Sequence, residues 1–228
     1  MRSESPIDTL LLDLDGTLVD SLPGIEYSVH RALELCDAPL VRRDFRALVG
    51  PPIRDILAMV SGRINPGEVD ELERAFRSVY DGGAWERATL FPEVHSTLDA
   101  LVDAGTRLFV VTNKPHVPAE RILTHLGVFP LLTALRSPDQ CEPSYKTKAE
   151  AVEGLRADFA LECEHTLMVG DALDDAQAAA AFGCQFAGVD YGYGAACSQR
   201  EYPVHFRISG FGELISIVTG KIPATHTY

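Results

Sequence analysis

Lysine is scarce in this chain. Only four occur in 228 residues, Lys114, Lys146, Lys148 and Lys221, and none lies between Leu22 and Ala88. Lys and Arg together number 20 against 33 Asp and Glu, a formal net charge of -13. A surface of that sign repels phosphate backbones and anionic lipid, so neither a nucleic-acid polymer nor a membrane is an expected partner. The five cysteines, Cys36, Cys141, Cys163, Cys184 and Cys197, include no C-x-x-C pair. That excludes the usual zinc spacings, and the odd number argues against a disulfide framework; reduced thiols in the cytoplasm are the simpler expectation. The opening MRSESPIDT has no apolar signal core, and no apolar run reaches membrane-spanning length. No internal repeat is visible, which excludes a solenoid. Nothing in the composition sets the oligomeric state.

A hydrophobic content of 46% supports one sizeable core, with or without a small second lobe. Ile7 to Leu14, Arg107 to Thr112, Thr166 to Gly170 and, more weakly, Gln185 to Val189 are short runs apolar on both faces. Such runs suit buried strands of a parallel sheet. Helical patterns over 94–104, 150–159 and 175–182 lie between them, the last ending at Gly183. Strands alternating with helices predict an α/β doubly wound, Rossmann-like sheet.

One segment breaks the alternation. Residues 22–88 contain no convincing strand; 25–35, 55–60 and 69–80 read as helices, separated by the breaks Gly50-Pro51-Pro52, Asn65-Pro66-Gly67 and Asp81-Gly82-Gly83. The expected organisation is a core of residues 1–21 and 89–228 with a helical cap, 22–88, over the end of the first strand. A helical layer packed on the sheet is the alternative.

Ligands of open α/β sheets bind at the carboxyl ends of the strands. The first strand delivers Asp13, Asp15 and Thr17 there, the second Thr112, Asn113 and Lys114, the third Asp171, Asp174 and Asp175. Four or five converging carboxylates would repel one another, and a bound divalent cation resolves the conflict. Hard oxygen ligands suit Mg²⁺.

The motifs carry a resemblance. D-L-D-G-T (Asp13 to Thr17), V-T-N-K-P (Val111 to Pro115) and M-V-G-D-A-L-D-D (Met168 to Asp175) resemble, in order and strand context, the motifs of the haloacid dehalogenase superfamily. The helical insert, F-R-S-V-Y (Phe76 to Tyr80) and G-V-D-Y-G-Y-G (Gly188 to Gly194) resemble its phosphoglycolate-phosphatase-like members. The resemblance implies a Mg²⁺-dependent phosphatase acting on a small phosphorylated metabolite. Asp13 would be the nucleophile that forms an aspartyl-phosphate. Asp15 would protonate the leaving oxygen and then take a proton from the attacking water. The two are one residue apart and would point to opposite faces of a regular strand, so the chain must bend there, and Gly16 permits it.

Other roles follow from the same resemblance. Thr112 would hold a phosphoryl oxygen, or else cap the next helix. Asn113, Gly16 and Thr17 would assist in phosphoryl binding, and Lys114 would reach the substrate or a rim carboxylate. The metal would take the Asp13 carboxylate, the Asp15 main-chain carbonyl, Asp171 and, directly or through water, Asp175. Asp174 is expected to cap the following helix. S-Y-K-T-K-A-E-A-V (Ser144 to Val152) offers two candidates for the cation on Asp13. A Glu four residues on favours Lys146; the K-A-E pattern and the distance to the acidic motif favour Lys148. Arg54, Arg42, Arg43, Arg46 or Arg77 would read a substrate carboxylate or second phosphate. An insert without lysine disfavours Schiff-base chemistry, and the Asp171/Asp175 pair disfavours metal-free dehalogenation. A phosphosugar mutase, a pyrophosphatase and an idle binding module stay open as alternatives.

Overall fold

The computed structural model describes residues 7–194 and 202–220; Cys197 and Lys221 lie outside the described residues. Six parallel strands form the central sheet: β1 (Thr9–Leu12), β4 (Arg107–Val111), β5 (Ala134–Arg136), β6 (Thr166–Gly170), β7 (Gln185–Val189) and β8 (Phe206–Ile208). Their order is β5-β4-β1-β6-β7-β8, with β1 in register with both Arg107–Val110 and Thr166–Val169. The chain starts in the middle and runs outward in both directions, which is the α/β doubly wound fold the sequence predicts. The switch in direction falls at β1, where crevices form.

Every residue of β1 is fully buried. Leu10 and Leu12 face one apolar layer together with Leu108, Val110, Leu167 and Val169; Leu11 faces the other with Phe109, Met168 and Phe186. The first layer is closed by helices α4 (Val94–Asp103), α5 (His116–His125) and α8 (Leu214–Val218), the second by α6 (Lys148–Phe159) and α7 (Leu173–Phe182). Period-2 alternation thus supplies two cores from one strand.

The first strand ends earlier than its apolar run suggests. Asp13 still donates its N–H to Val169 O at 3.0 Å, but the chain then turns, with Gly16 at φ +89°. The turn returns as β2 (Val19–Asp20), which pairs antiparallel with β3 (Thr89–Leu90). Between these two short strands lie α1 (Leu22–Leu35), α2 (Ile53–Ser61) and α3 (Pro66–Asp81). The breaks act as read: α2 begins after Pro52, Asn65 Oδ1 accepts from Gly67 N at 3.0 Å to start α3, and α3 stops at Gly82. Leu72, Phe76 and Tyr80 put one apolar stripe of α3 into a core with Ile25, Val29 and Leu33 of α1, separate from both sheet layers.

No helix among the described residues is long and apolar enough to cross a membrane. Cys36, Cys141, Cys163 and Cys184 are free thiols.

Candidate active site

The end of β1 and the segment after β6 converge on one ammonium at the start of α6. Lys148 opens α6, where Thr147 Oγ1 caps the helix by accepting from Glu150 N. Its Nζ lies 2.8 Å from Asp13 Oδ1, 2.6 Å from Asp175 Oδ1 and 3.5 Å from Asp174 Oδ2. Burial alone would lower this ammonium; the carboxylates of Asp13, Asp175 and Asp174 reverse that and hold it well above the usual lysine range. Lys146 is not brought to the cluster. It is exposed, two residues before the helix, and its main-chain N–H donates to Glu150 Oε2. The Glu at plus four that favoured Lys146 therefore serves the helix start, and Lys148 is the cation at Asp13.

Asp13, Asp171 and Asp175 each bring a carboxylate oxygen within 4.8 Å of the others, and all three are buried. Burial drives Asp13 well above the ordinary carboxyl range, opposed by Lys148 and reinforced by Asp175, Asp171 and Asp174. Burial pushes Asp175 up to about 7 against the pull of Lys148. Burial also raises Asp171, opposed by the N–H groups of Gly194 and Tyr193. Three buried acids facing one lysine are under-neutralised, and an all-oxygen set of this spacing fits Mg²⁺. The Asp15 side chain stands apart from them. Its oxygens are each 3.0 Å from Lys114 Nζ and it accepts from the Ser21 hydroxyl, so only its main-chain carbonyl is left for the expected metal contact. Of the two roles expected for Lys114, the geometry selects the rim carboxylate.

Several expected substrate contacts are positioning contacts instead. Gly16 spends its N–H on Val19 O, and a Cβ there would stand 2.8 Å from Asp171 Cγ. Thr17, fully buried, turns its hydroxyl to Asp171 Oδ1 at 3.4 Å. Neither lines the cavity. Asn113 does line it, but its amide donates to Asp174 Oδ2 at 2.7 Å and to Gly50 O at 3.4 Å, joining the acidic loop to the helical insert. Thr112 also lines the cavity and accepts from Lys114 N at 3.1 Å. It closes a turn rather than capping α5, and its own proton is free to be donated. Asp174 does not cap α7: the N–H of Ala172 goes to Asp175 Oδ2 at 3.0 Å.

Three of the five candidate arginines are occupied, and the other two lie away from the cavity. Arg54 lines the cavity, yet its guanidinium is bound by Asp70 and Glu73; Arg77 is held by Glu73 at 2.7 Å. Arg42 and Arg43 are exposed and absent from the cavity wall. Arg46 crosses to the sheet and donates to Tyr191 O and Gly192 O, both at 2.7 Å.

That clamp lies on a functional stretch which the sequence marks only as a motif. The N–H groups of Tyr193 and Gly194 donate to Asp171 Oδ2 at 2.7 and 2.8 Å, while Tyr191 Oη donates to Thr17 O at 2.9 Å. The glycines allow the approach: a Cβ on Gly192 would stand 2.6 Å from Gly16 O. Gly192→Ala is therefore expected to displace Asp171 and weaken Mg²⁺ binding by about 10- to 100-fold, the range for lost support around a metal ligand. A Mg²⁺ titration of thermal stability, compared with the parent, measures it.

Asp13, Asp15, Asp171, Asp174, Lys148 and Thr112 form the floor of a cavity of about 170 Å³ roofed by the insert, with Ile25, Pro52, Ile53, Ile56, Phe76 and Tyr80 above. A model of the haloacid dehalogenase-like hydrolases matches residues 7–183. The chain belongs to that family. It is 30% identical over 215 residues to a phosphoglycolate phosphatase of Pasteurella multocida, covering 90% of this chain and 96% of the relative. It is 34% identical over 200 residues to the tyrosine-protein kinase PtkA of Mycobacterium tuberculosis, covering 86% of this chain and 67% of that protein. The crystal structure of a predicted phosphoglycolate phosphatase from Haemophilus somnus superposes with a TM-score of 0.81 at 26% identity, covering 93% of this chain and 98% of that one.

Proposed function

We propose that this phosphoric monoester hydrolase cleaves a small, phosphoglycolate-like phosphomonoester through an aspartyl-phosphate on Asp13, with Mg²⁺ as cofactor. The observation that carries the reading is the cluster of Asp13, Asp171 and Asp175 within 4.8 Å, with Lys148 on Asp13 and a cavity above that the insert roofs. Lys148 holds one Asp13 oxygen, fixing the carboxylate so that its other oxygen attacks phosphorus in line. As the P–O ester bond breaks, Asp15 gives its proton to the leaving oxygen; a water then attacks the phosphoryl group, its proton passes to Asp15, and phosphate and free Asp13 result. Thr112 Oγ1 and Lys148 Nζ stabilise the phosphoryl oxygens as charge redistributes. Mg²⁺, held by Asp13, Asp171, Asp175 and the Asp15 carbonyl, would neutralise phosphoryl charge when bound.

Residues 22–88 act in this reading as the cap domain on a core of 1–21 and 89–228, over the cavity that receives the leaving group. The free thiols fit a reducing, cytoplasmic setting. The test is hydrolysis of 2-phosphoglycolate, sugar phosphates, pyrophosphate and an aryl phosphate. Turnover is expected with Mg²⁺ and none in chelator; failure to release phosphate from any of them sinks the reading. Because one relative is a kinase, the acceptor matters: phosphate released in ¹⁸O-water should carry the label.

A further inference from the structure

We infer that Tyr80 is the specificity-determining residue of this site, donating a hydrogen bond from its phenol to an oxygen acceptor on the leaving group. The substrate class is then a phosphate ester whose leaving group carries a carboxylate or hydroxyl oxygen close to the ester oxygen, rather than a plain alkyl group. The inference rests on the hydrolase reading above.

Among the described residues, four buried side-chain polar atoms have no hydrogen-bond partner: Tyr80 Oη, His116 Nδ1, Arg136 Nε and Ser137 Oγ. Only Tyr80 also lines the cavity. Its side chain is held firmly, stacked on Phe76 at 5.3 Å and 14° in the core of the insert, and the residue is 5% exposed. Leaving a buried hydroxyl unsatisfied costs stability, and a phenylalanine would fill the same space without that cost. A hydroxyl kept at a cost on a residue of the cavity wall is a donor awaiting an acceptor.

The surroundings say which partner. Tyr80 is near the group expected to protonate the leaving oxygen: Lys114 Nζ lies 5.5 Å from the Tyr80 ring centroid and makes its short bonds to both Asp15 oxygens. Burial raises the phenol, against the charge of Lys114 and the ammonium's pull on the phenol oxygen; because a lysine can only donate, the neutral phenol keeps its own proton for an acceptor. The other cavity donors of the insert are engaged, Arg54 by Asp70 and Glu73, Arg77 by Glu73. The rest of the roof is apolar at Ile25, Pro52, Ile53, Ile56 and Phe76, and its two acids, Glu73 and Asp81, can only accept, Glu73 being already paired with Arg54 and Arg77. Thr112 on the floor is placed for the phosphoryl group, so from the insert side a leaving-group oxygen meets one unengaged donor, the Tyr80 phenol, beside the Lys114 charge.

The test uses the full chain with Asp13→Asn, which binds without turnover, and the same variant carrying Tyr80→Phe. Each is titrated by calorimetry with 2-phosphoglycolate and with ethyl phosphate, which keeps the carbon chain and lacks the carboxylate. The Tyr80→Phe change should weaken 2-phosphoglycolate by about 10- to 100-fold, the range for one hydrogen bond to a charged acceptor, and ethyl phosphate by less than about threefold. Its melting temperature should not fall. Equal losses on both esters, no loss on either, binding of neither, or a lowered melting temperature would each overturn the assignment. Wild-type turnover is scored separately. A protein that hydrolyses no phosphomonoester but keeps the binding split loses the hydrolase reading and retains Tyr80 as the selector.

Discussion

Asp13→Asn is expected to lower kcat on the order of 10⁴-fold or more and, in chelator, to raise the melting temperature. The first effect follows because an amide cannot attack phosphorus and no neighbouring carboxylate replaces it: Asp175 is held by Lys148 and by the N–H of Ala172, and Asp171 by Thr17 and two N–H groups. The second follows from the environment. Asp13 is raised well above its ordinary 3.8, chiefly by burial. A carboxyl raised by folding stabilises fully below its unfolded value and loses that contribution as pH climbs through the folded one. Parent and variant should thus melt together below about pH 4 and separate above it, the variant higher. Saturating Mg²⁺ should reverse the order near neutral pH, because the parent offers one more carboxylate. Melting curves across pH, with and without Mg²⁺, check both signs. A variant less stable in chelator at neutral pH would mean that the Lys148 pairing outweighs burial and like-charge repulsion.

The parts of this site legible in the sequence are those set by the end of a buried strand. β1, β4, β6 and β7 are apolar on both faces, so their ends were readable, and with them Asp13, Thr112 and Asp171. The sequence did not show β5 and β8, three residues each on opposite edges of the sheet and incompletely buried, nor the two-residue β2 and β3. Helix α5 leaves little trace in the sequence because it buries only Ala119, Ile122 and Leu123. Partner choice was less legible than position. Whether Lys114 meets Asp15, 99 residues away, or Asn113 meets Asp174, 61 away, depends on how loops from different strands pack. The same limit explains Gly16 and Thr17. Motif position placed them beside the nucleophile, but only the approach of the β6 loop and the Gly188–Gly194 stretch turned them toward Asp171. Arg46 was expected among substrate readers because it is basic and in the insert; its partners are main-chain carbonyls of a segment about 145 residues later.

The two lysines of S-Y-K-T-K give the clearest contrast between spacing and packing. Lys148→Met is expected to lose about 10²- to 10³-fold in kcat, as when one preorganised donor to developing charge is removed. It should also destabilise the protein by about 3–5 kcal/mol, the usual result of breaking a buried ion pair from one side. The large value is warranted because Lys148 is almost fully buried and touches three acids, of which Asp13 and Asp175 are themselves buried. Methionine keeps the length and packing of the stem, so the loss measures charge rather than a cavity. The deficit should shrink on acidification, because Asp175 is already raised to about 7 with the lysine present and would take a proton more readily without it. Mg²⁺ should recover part of it by the same neutralisation. Lys146→Met should leave the melting temperature unchanged and kcat within about twofold, since an exposed side chain away from the site has neither contact to lose. Chemical denaturation of both variants at pH 6 and 8, with steady-state rates, separates the outcomes. Equal effects of the two substitutions, or a stable Lys148→Met, would mean that the acids around Asp13 are not held together by that one ammonium.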